Sequence, residues 1–395
     1  MLAAGARSNL RLLTGGVLLA LLPFSLALGT VAATTAPVPF SVGLGTVPRG
    51  VAVDPTSGAV YALLYLNGTT VALEPPTFHV FGTVSTPSPY AIAADPAAGD
   101  VYVSEGQGPV SVSVLDGSAN SVVATVKGAG TPYALAVDDA DGLLFAADTS
   151  SGSLYAIRTS TDVVAARLPV GSTSALAVDP DTHEAFVGNL SSGSGTVVAY
   201  SAQTLKAVGT VSIPFPPEHL AVDPATGLLF VASGGEQGSS PVDFLAINET
   251  TMQVAYGSRL GQAPSVMAVA TSPDVYVSDV GQNRLYEVDG STGRVLMNST
   301  GDSSNGVDYT GITAMAFDPV SGSLYITEQG VTGLVVLATG VPVAPSSGSD
   351  LTYLYLGIVA TAVVAGGLYV MLRRKPRAAP GASRPAPAKT LALAD

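Results

Sequence analysis

From about residue 38 to residue 340 the chain runs in short apolar stretches separated by turn-forming clusters, and the pattern repeats. Each unit opens on a continuous apolar run such as Tyr133-Ala-Leu-Ala-Val137. Unbroken apolarity over so few residues suits a strand covered on both faces. A turn of the form Asp-Pro-x-x-Gly follows. Its Asp can accept bonds from turn amides, Pro presets φ, and Gly permits positive φ. A second run carries an aromatic residue. A third alternates, as in Val110-Ser-Val-Ser-Val114, and a fourth is Val-rich, as in Val122-Val-Ala-Thr-Val126. Each unit therefore reads as four strands.

The unit recurs seven times. Its Asp column holds Asp54, Asp95, Asp138, Asp179, Asp223 and Asp318, and a degenerate copy puts Ala270 there. The spacing is 41 to 48 residues. The aromatic column holds Tyr61, Tyr102, Phe145, Phe186, Phe230, Tyr276 and Tyr325. One four-stranded unit cannot bury both its faces, and stacking units around an axis does so. The last copy has only two strands after its first, around Leu324–Thr327 and Leu334–Ala338, while Pro39–Pro48 stands before the first copy as an orphan fourth strand. Pairing the orphan with the last copy closes the ring and removes its exposed edges. The fold class predicted is all-β, a seven-bladed β-propeller closed by an N-terminal strand, over residues 38–340. An open solenoid is the alternative, and it leaves the orphan unpaired.

Pro132-Tyr-Ala-Leu-Ala-Val-Asp138, Asp100-Val-Tyr-Val103 and the run from Val112 to Val126 resemble the YVTN β-propeller repeat family, which includes archaeal surface-layer-like proteins and bacterial periplasmic propellers. The likeness covers nearly all of residues 38–340. It implies a propeller and says little of activity, because its motif consists of strand and turn residues. The chain departs from the pattern at Ala270 and in the long Asn298–Tyr309 connection.

The two ends read differently. Arg7 and Arg11 precede an apolar run from Leu12 to about Leu28, and small residues follow. Residues 1–33 are a secretory signal peptide by this layout, or an uncleaved N-terminal anchor. After a linker at 341–350, Leu351–Leu372 is a charge-free stretch of 22 residues. That length spans a hydrocarbon core of about 30 Å as a transmembrane helix. Arg373, Arg374, Lys375 and Arg377 mark its cytoplasmic flank, and the Pro/Ala-rich tail at 373–395 reads as disordered. The expectation is a single-pass membrane protein whose propeller lies outside the cell.

Composition narrows the function. A formal net charge of −13 argues against nucleic acid as a partner. The chain has no Cys, which removes disulfides, Cys-ligated zinc, iron–sulfur clusters and thiol nucleophiles. Nucleophile elbows, phosphate loops and HExxH are missing too.

If the first strands run from the top of the ring to its bottom, the Asp-Pro-x-x-Gly turns lie at the bottom, with both domain termini. The top then faces away from the membrane. Five residues before the Asp column stand Arg49, Tyr90, Tyr133, Ser174, Glu218, Ser265 and Thr313, which should ring the top of the channel. The top also collects Glu105, Asp148, Glu218, Glu236, Asp279 and Glu328. This acidic set suits Ca²⁺, which wants six to eight oxygens, or a basic partner. The alternative is that each bonds its own turn. Glu218 and His219 are the candidate acid–base pair, although neighbours on a strand point to opposite faces. His79 and His183 read as solvated. Asn67, Asn189, Asn248 and Asn298 open N-x-Ser/Thr sequons and are candidates for glycosylation in loops or at strand ends.

Three functions remain: a surface binding or scaffold module for a protein or glycan, an extracytoplasmic lyase or lactonase working at the top of the channel, or a structural envelope component. The binding class predicts an exposed aromatic patch around Tyr90 and Tyr133. The enzyme class predicts a convergent polar cluster with a perturbed pKa.

Overall fold

The computed structural model describes residues 39–338, apart from 107–109, 192, 235–239, 271–272, 302–306 and 308. Strand β1 is Phe40–Gly43. Strands β2–β5 run from Gly50 to Ser85, β6–β9 from Pro89 to Val126, β10–β13 from Ala134 to Pro169, and β14–β17 from Thr173 to Ile213. Strands β18–β21 run from His219 to Ser258, β22–β25 from Pro264 to Thr300, and β26–β28 from Ile312 to Ala338. They form seven antiparallel four-stranded sheets, six consecutive in sequence and the seventh ordered β1-β28-β27-β26. The innermost strands touch in the cycle β2, β6, β10, β14, β18, β22, β26 and back to β2. The protein is a closed seven-bladed β-propeller.

Closure follows the register that the orphan strand requires. Phe40 pairs with Val336 and Gly43 with Gly333. The strand is shorter than the stretch expected for it, because the chain turns away at Leu44 after bonding its amide to Thr332 O at 2.9 Å.

The core is divided among the seven seams between blades. Every aromatic of the second-strand column is buried, and each packs against the following blade. Tyr102 meets Leu144, Ala146 and Ile157 of the third blade. Phe145 meets Ala185 and Val187 of the fourth. Tyr325 crosses the closing seam to Val51, Val60 and Val71. The outermost strands alternate exposed with half-buried positions, as Val163–Pro169 does. In each of the six consecutive blades the pairing of third and fourth strands slips by one residue, as at Ala156/Ile157. Such a bulge strengthens the twist of an outer edge and blunts its pairing with other chains.

The turn aspartates do what their column implies. Asp54 Oδ1 accepts from Thr56 N at 2.9 Å, Asp179 Oδ1 from Asp181 N at 2.8 Å, and Asp318 Oδ1 from Val320 N at 2.9 Å. The degenerate copy keeps the backbone bond of the first turn, Ala270 N donating to Asp274 O at 2.8 Å as Asp54 N does to Ala59 O at 2.9 Å. The irregular connection of the sixth blade is also used. Val307 and Tyr309 are buried in the seam between the sixth and seventh blades, and Tyr309 N donates to Asn283 Oδ1 at 2.7 Å.

The stretches expected to be a signal or anchor (1–33), a linker (341–350), a transmembrane helix (351–372) and a tail (373–395) lie outside the described residues. Among the described residues no helix is long and apolar enough to cross a membrane. Both ends of the described chain sit on the face that carries the Asp turns, where Ala338 pairs with Ser323 just beyond the Asp318 turn.

Candidate functional site

The opposite face holds the mouth of the central channel. A pocket of about 260 Å³ there is lined by Arg49, Tyr90, Tyr133, His219, Ser265, Val266, Ile312 and Thr313. Five of the seven residues read from the rim column are therefore brought together. They sit at or just before the start of an innermost strand, where the chain enters the ring and side chains face the opening.

One side of the mouth is aromatic. The Tyr90 and Tyr133 rings lie 5.1 Å apart at 58°, and Tyr65 lies 5.4 Å from Tyr90. The Tyr65 and Tyr90 hydroxyls are 3.4 Å apart, and this contact is the main reason the Tyr90 hydroxyl titrates above its usual range. The Arg49 guanidinium stands 5.0 Å from both ring centroids. A cation at that distance over a ring face is attracted by its quadrupole. Tyr133 is 45% exposed, unusual for a large aromatic in a close-packed fold, and it carries the cluster to solvent. Tyr65 stands outside the repeat columns, in the short 3-10 turn Tyr65–Asn67 that the first blade adds, so column counting does not find it.

The other side is polar. His219 Nε2 and Ser265 Oγ lie 3.0 Å apart. Confinement within the protein lowers the His219 pKa to about 4, so the ring is neutral at pH 7. His219 comes from the fifth blade and Ser265 from the sixth, which is why neither advertises the other in sequence. Glu218 is not in this lining. Its carboxylate lies over Gly234 so closely that a Cβ there would fall within 1.9 Å of Oε2. The candidate Glu218/His219 pair is divided between two environments, as strand alternation requires.

The remaining acidic candidates fold back into their own blades. Glu105 is buried, accepts from the Ser113 hydroxyl, and titrates high because it is desolvated. Asp148 is buried and accepts from Ser150 N at 2.9 Å. Asp279 accepts from the amides of Gln262, Ala263, Gly281 and Gln282 at 2.9 to 3.2 Å. Glu328 is fully buried, and Glu236 lies outside the described residues. Among the described residues, none of these carboxylates joins a group of three donors spaced for a cation. Asp148 and Asp279 bond the amides of their own loops, as the alternative expects, but they and Glu105 and Glu328 are buried, where solvated side chains were expected.

Of the sequon residues, Asn67 is exposed in its turn. Asn298 is exposed too, though within an outer strand rather than at its end. Asn248 Oδ1 is engaged by Thr251 N at 2.9 Å, and Asn189 Oδ1 is buried. His183 is not simply solvated: its Nδ1 lies 3.1 Å from Asp141 Oδ2. His79 is exposed in an outer strand, as expected.

At the seam between the fourth and fifth blades Glu249 is buried. Desolvation, and then Asp179, raise its pKa to about 9. On the face with the Asp turns a wider hollow of about 750 Å³ is lined by Pro75, Pro76, Phe78, Phe81 and Tyr325, among others.

No protein-family model and no curated protein matches the chain. Among solved structures, 1361 chains match, a breadth that belongs to an architecture and not to one activity. One is Kuenenia stuttgartiensis hydrazine synthase, with TM-score 0.61 and 15% identity over 79% of this chain and 99% of that one. The likeness is one of fold.

Proposed function

We propose that the protein is a membrane-anchored surface propeller, of the YVTN type that its repeats resemble, and that it acts as a binding or scaffold module. Its partner is a protein segment or glycan held at the mouth of the channel, the face turned away from the membrane. The observation that carries this reading is the Arg49–Tyr65–Tyr90–Tyr133 cluster. It gathers tilted aromatic rings and their hydroxyls at one spot of a rigid frame, with Tyr133 reaching solvent. Amphipathic rings of this kind dominate recognition surfaces, because they contribute much contact area while losing little side-chain freedom.

An enzyme working at the same mouth is favoured by one observation, the Ser265–His219 contact at 3.0 Å. A base must lie within hydrogen-bond reach of the proton it takes, and this pair meets that condition. An imidazole with a pKa of about 4 is nevertheless a weak base, so binding is the stronger reading. A purely structural envelope role would leave the aromatic side of the mouth without a use.

The test places a photo-crosslinking residue at Val320, exposed on the opposite face, or at Tyr133, in the full-length chain on intact cells. Capture of a discrete partner from position 133, absent from position 320, supports the reading. Tyr90→Ala should lower that capture about tenfold, the equivalent of about 1.4 kcal/mol. Equal capture from both positions, or capture indifferent to Tyr90→Ala and Arg49→Ala, sinks it. Turnover of an ester or lactone panel that disappears in Ser265→Ala would establish the enzyme instead.

A further inference from the structure

The six Asp turns supply an internal comparison. Four blades have Ser or Thr three places after the column Asp, and in three of them, all but the fourth blade, its hydroxyl donates to the second carboxylate oxygen. Ser57 bonds Asp54 Oδ2 at 2.6 Å, Thr226 bonds Asp223 Oδ2 at 2.7 Å, and Ser321 bonds Asp318 Oδ2 at 2.6 Å. The third blade has Asp141 in that place. A carboxylate cannot donate, so Asp138, fully buried, is left with Oδ2 unpartnered. The turn of the fourth blade departs as well. Five repeats end this turn on Gly with φ between 63° and 74°, whereas the fourth ends it on His183 with φ 59°.

These two departures meet. Asp138 and Asp141 of the third blade and His183 of the fourth place one donor atom each within 4.8 Å of one another. Asp138 Oδ2, Asp141 Oδ2 and His183 Nδ1 are all buried atoms without a hydrogen-bond partner. The last two lie 3.1 Å apart, yet out of line for a hydrogen bond. Two donors each about 2 Å from a tetrahedral ion stand about 3.3 Å apart. The spacing is that of two ligands of one metal. A second contact holds the set in place, since Asp141 N donates to Asp138 Oδ1 at 3.1 Å.

We propose that Asp138, Asp141 and His183 bind a divalent transition ion of the zinc class and clip the turn of the third blade to that of the fourth. One imidazole and two carboxylates suit zinc better than calcium, which takes six to eight oxygens. Asp141 and His183 are half-buried, so the fourth position opens to water.

The repeat itself supplies variants that should fold. His183→Gly installs the residue that five repeats use there, and Asp141→Ser installs the hydroxyl found in the first and seventh blades. The full-length chain, stripped of metal, is titrated with zinc chloride by calorimetry and melted with and without zinc. Wild type should bind one zinc and gain Tm on binding. Each variant should keep its metal-free Tm, bind zinc at least tenfold more weakly, and lose the zinc-dependent gain. His79→Gln should bind as wild type does. Absence of saturable binding to wild type, or wild-type affinity in either His183→Gly or Asp141→Ser, overturns the site.

Discussion

The seams between blades and the mouth of the channel are built from columns of the same repeat, and they treat the repeat in opposite ways. At the seams the second-strand column is filled by Tyr or Phe in all seven blades, and every ring is buried. At the mouth the rim column runs Arg, Tyr, Tyr, Ser, Glu, Ser, Thr. Uniformity marks a position that does the same packing job seven times. Variety marks a position free of that job, where unlike side chains from different blades make one asymmetric site.

The largest effect should come from the seams. Phe145→Ala removes a fully buried ring between the third and fourth blades and should cost about 3–5 kcal/mol in denaturant unfolding. A loss below about 1 kcal/mol would mean that the seam does not carry the core. Glu249 is a buried carboxyl at a seam that is otherwise largely apolar. Its folded pKa of about 9 stands above the ordinary 4.5, so the folded state holds the extra proton between these values. Stability should therefore fall as pH rises through that window, by at most about 1.4 kcal/mol per unit. Glu249→Gln should flatten the slope and raise Tm at pH 8 more than at pH 5, and an unchanged slope refutes the assignment. At the mouth, Tyr90→Ala should change stability by no more than about 1 kcal/mol, since it loses ring contacts but little burial. It should still lower ligand capture. A larger loss of stability would make the tyrosine cluster a packing element and erase the contrast with the seams.

The same contrast explains what the sequence made legible. Blade number, seam aromatics and the closing strand were readable because repetition averages out local accidents. The rim positions followed by counting back from Asp54, Asp95 and their counterparts. Tyr65 did not, because it belongs to an added turn in one blade only. The His219–Ser265 and Asp141–His183 contacts join different blades, so no spacing within one repeat encodes them. The acidic rim shows where residue type and geometry part: Asp279 carries the residue type of a cation ligand, and the nearby amides of Gln262, Ala263, Gly281 and Gln282 bond its oxygens.

Phe40 is paired with Val336, roughly 300 residues further along the chain, among the most distant pairings a domain of this size can make. The first of the described strands must therefore wait for the last of them before it finds its place. Until then the final blade lacks its outer member and the first has no neighbour across the closing seam. The earlier blades can settle on one another in order of synthesis, each capped by the next. The nascent protein thus passes through a half-built arc with a sticky leading edge, and guarding that edge falls to whatever machinery attends the growing chain.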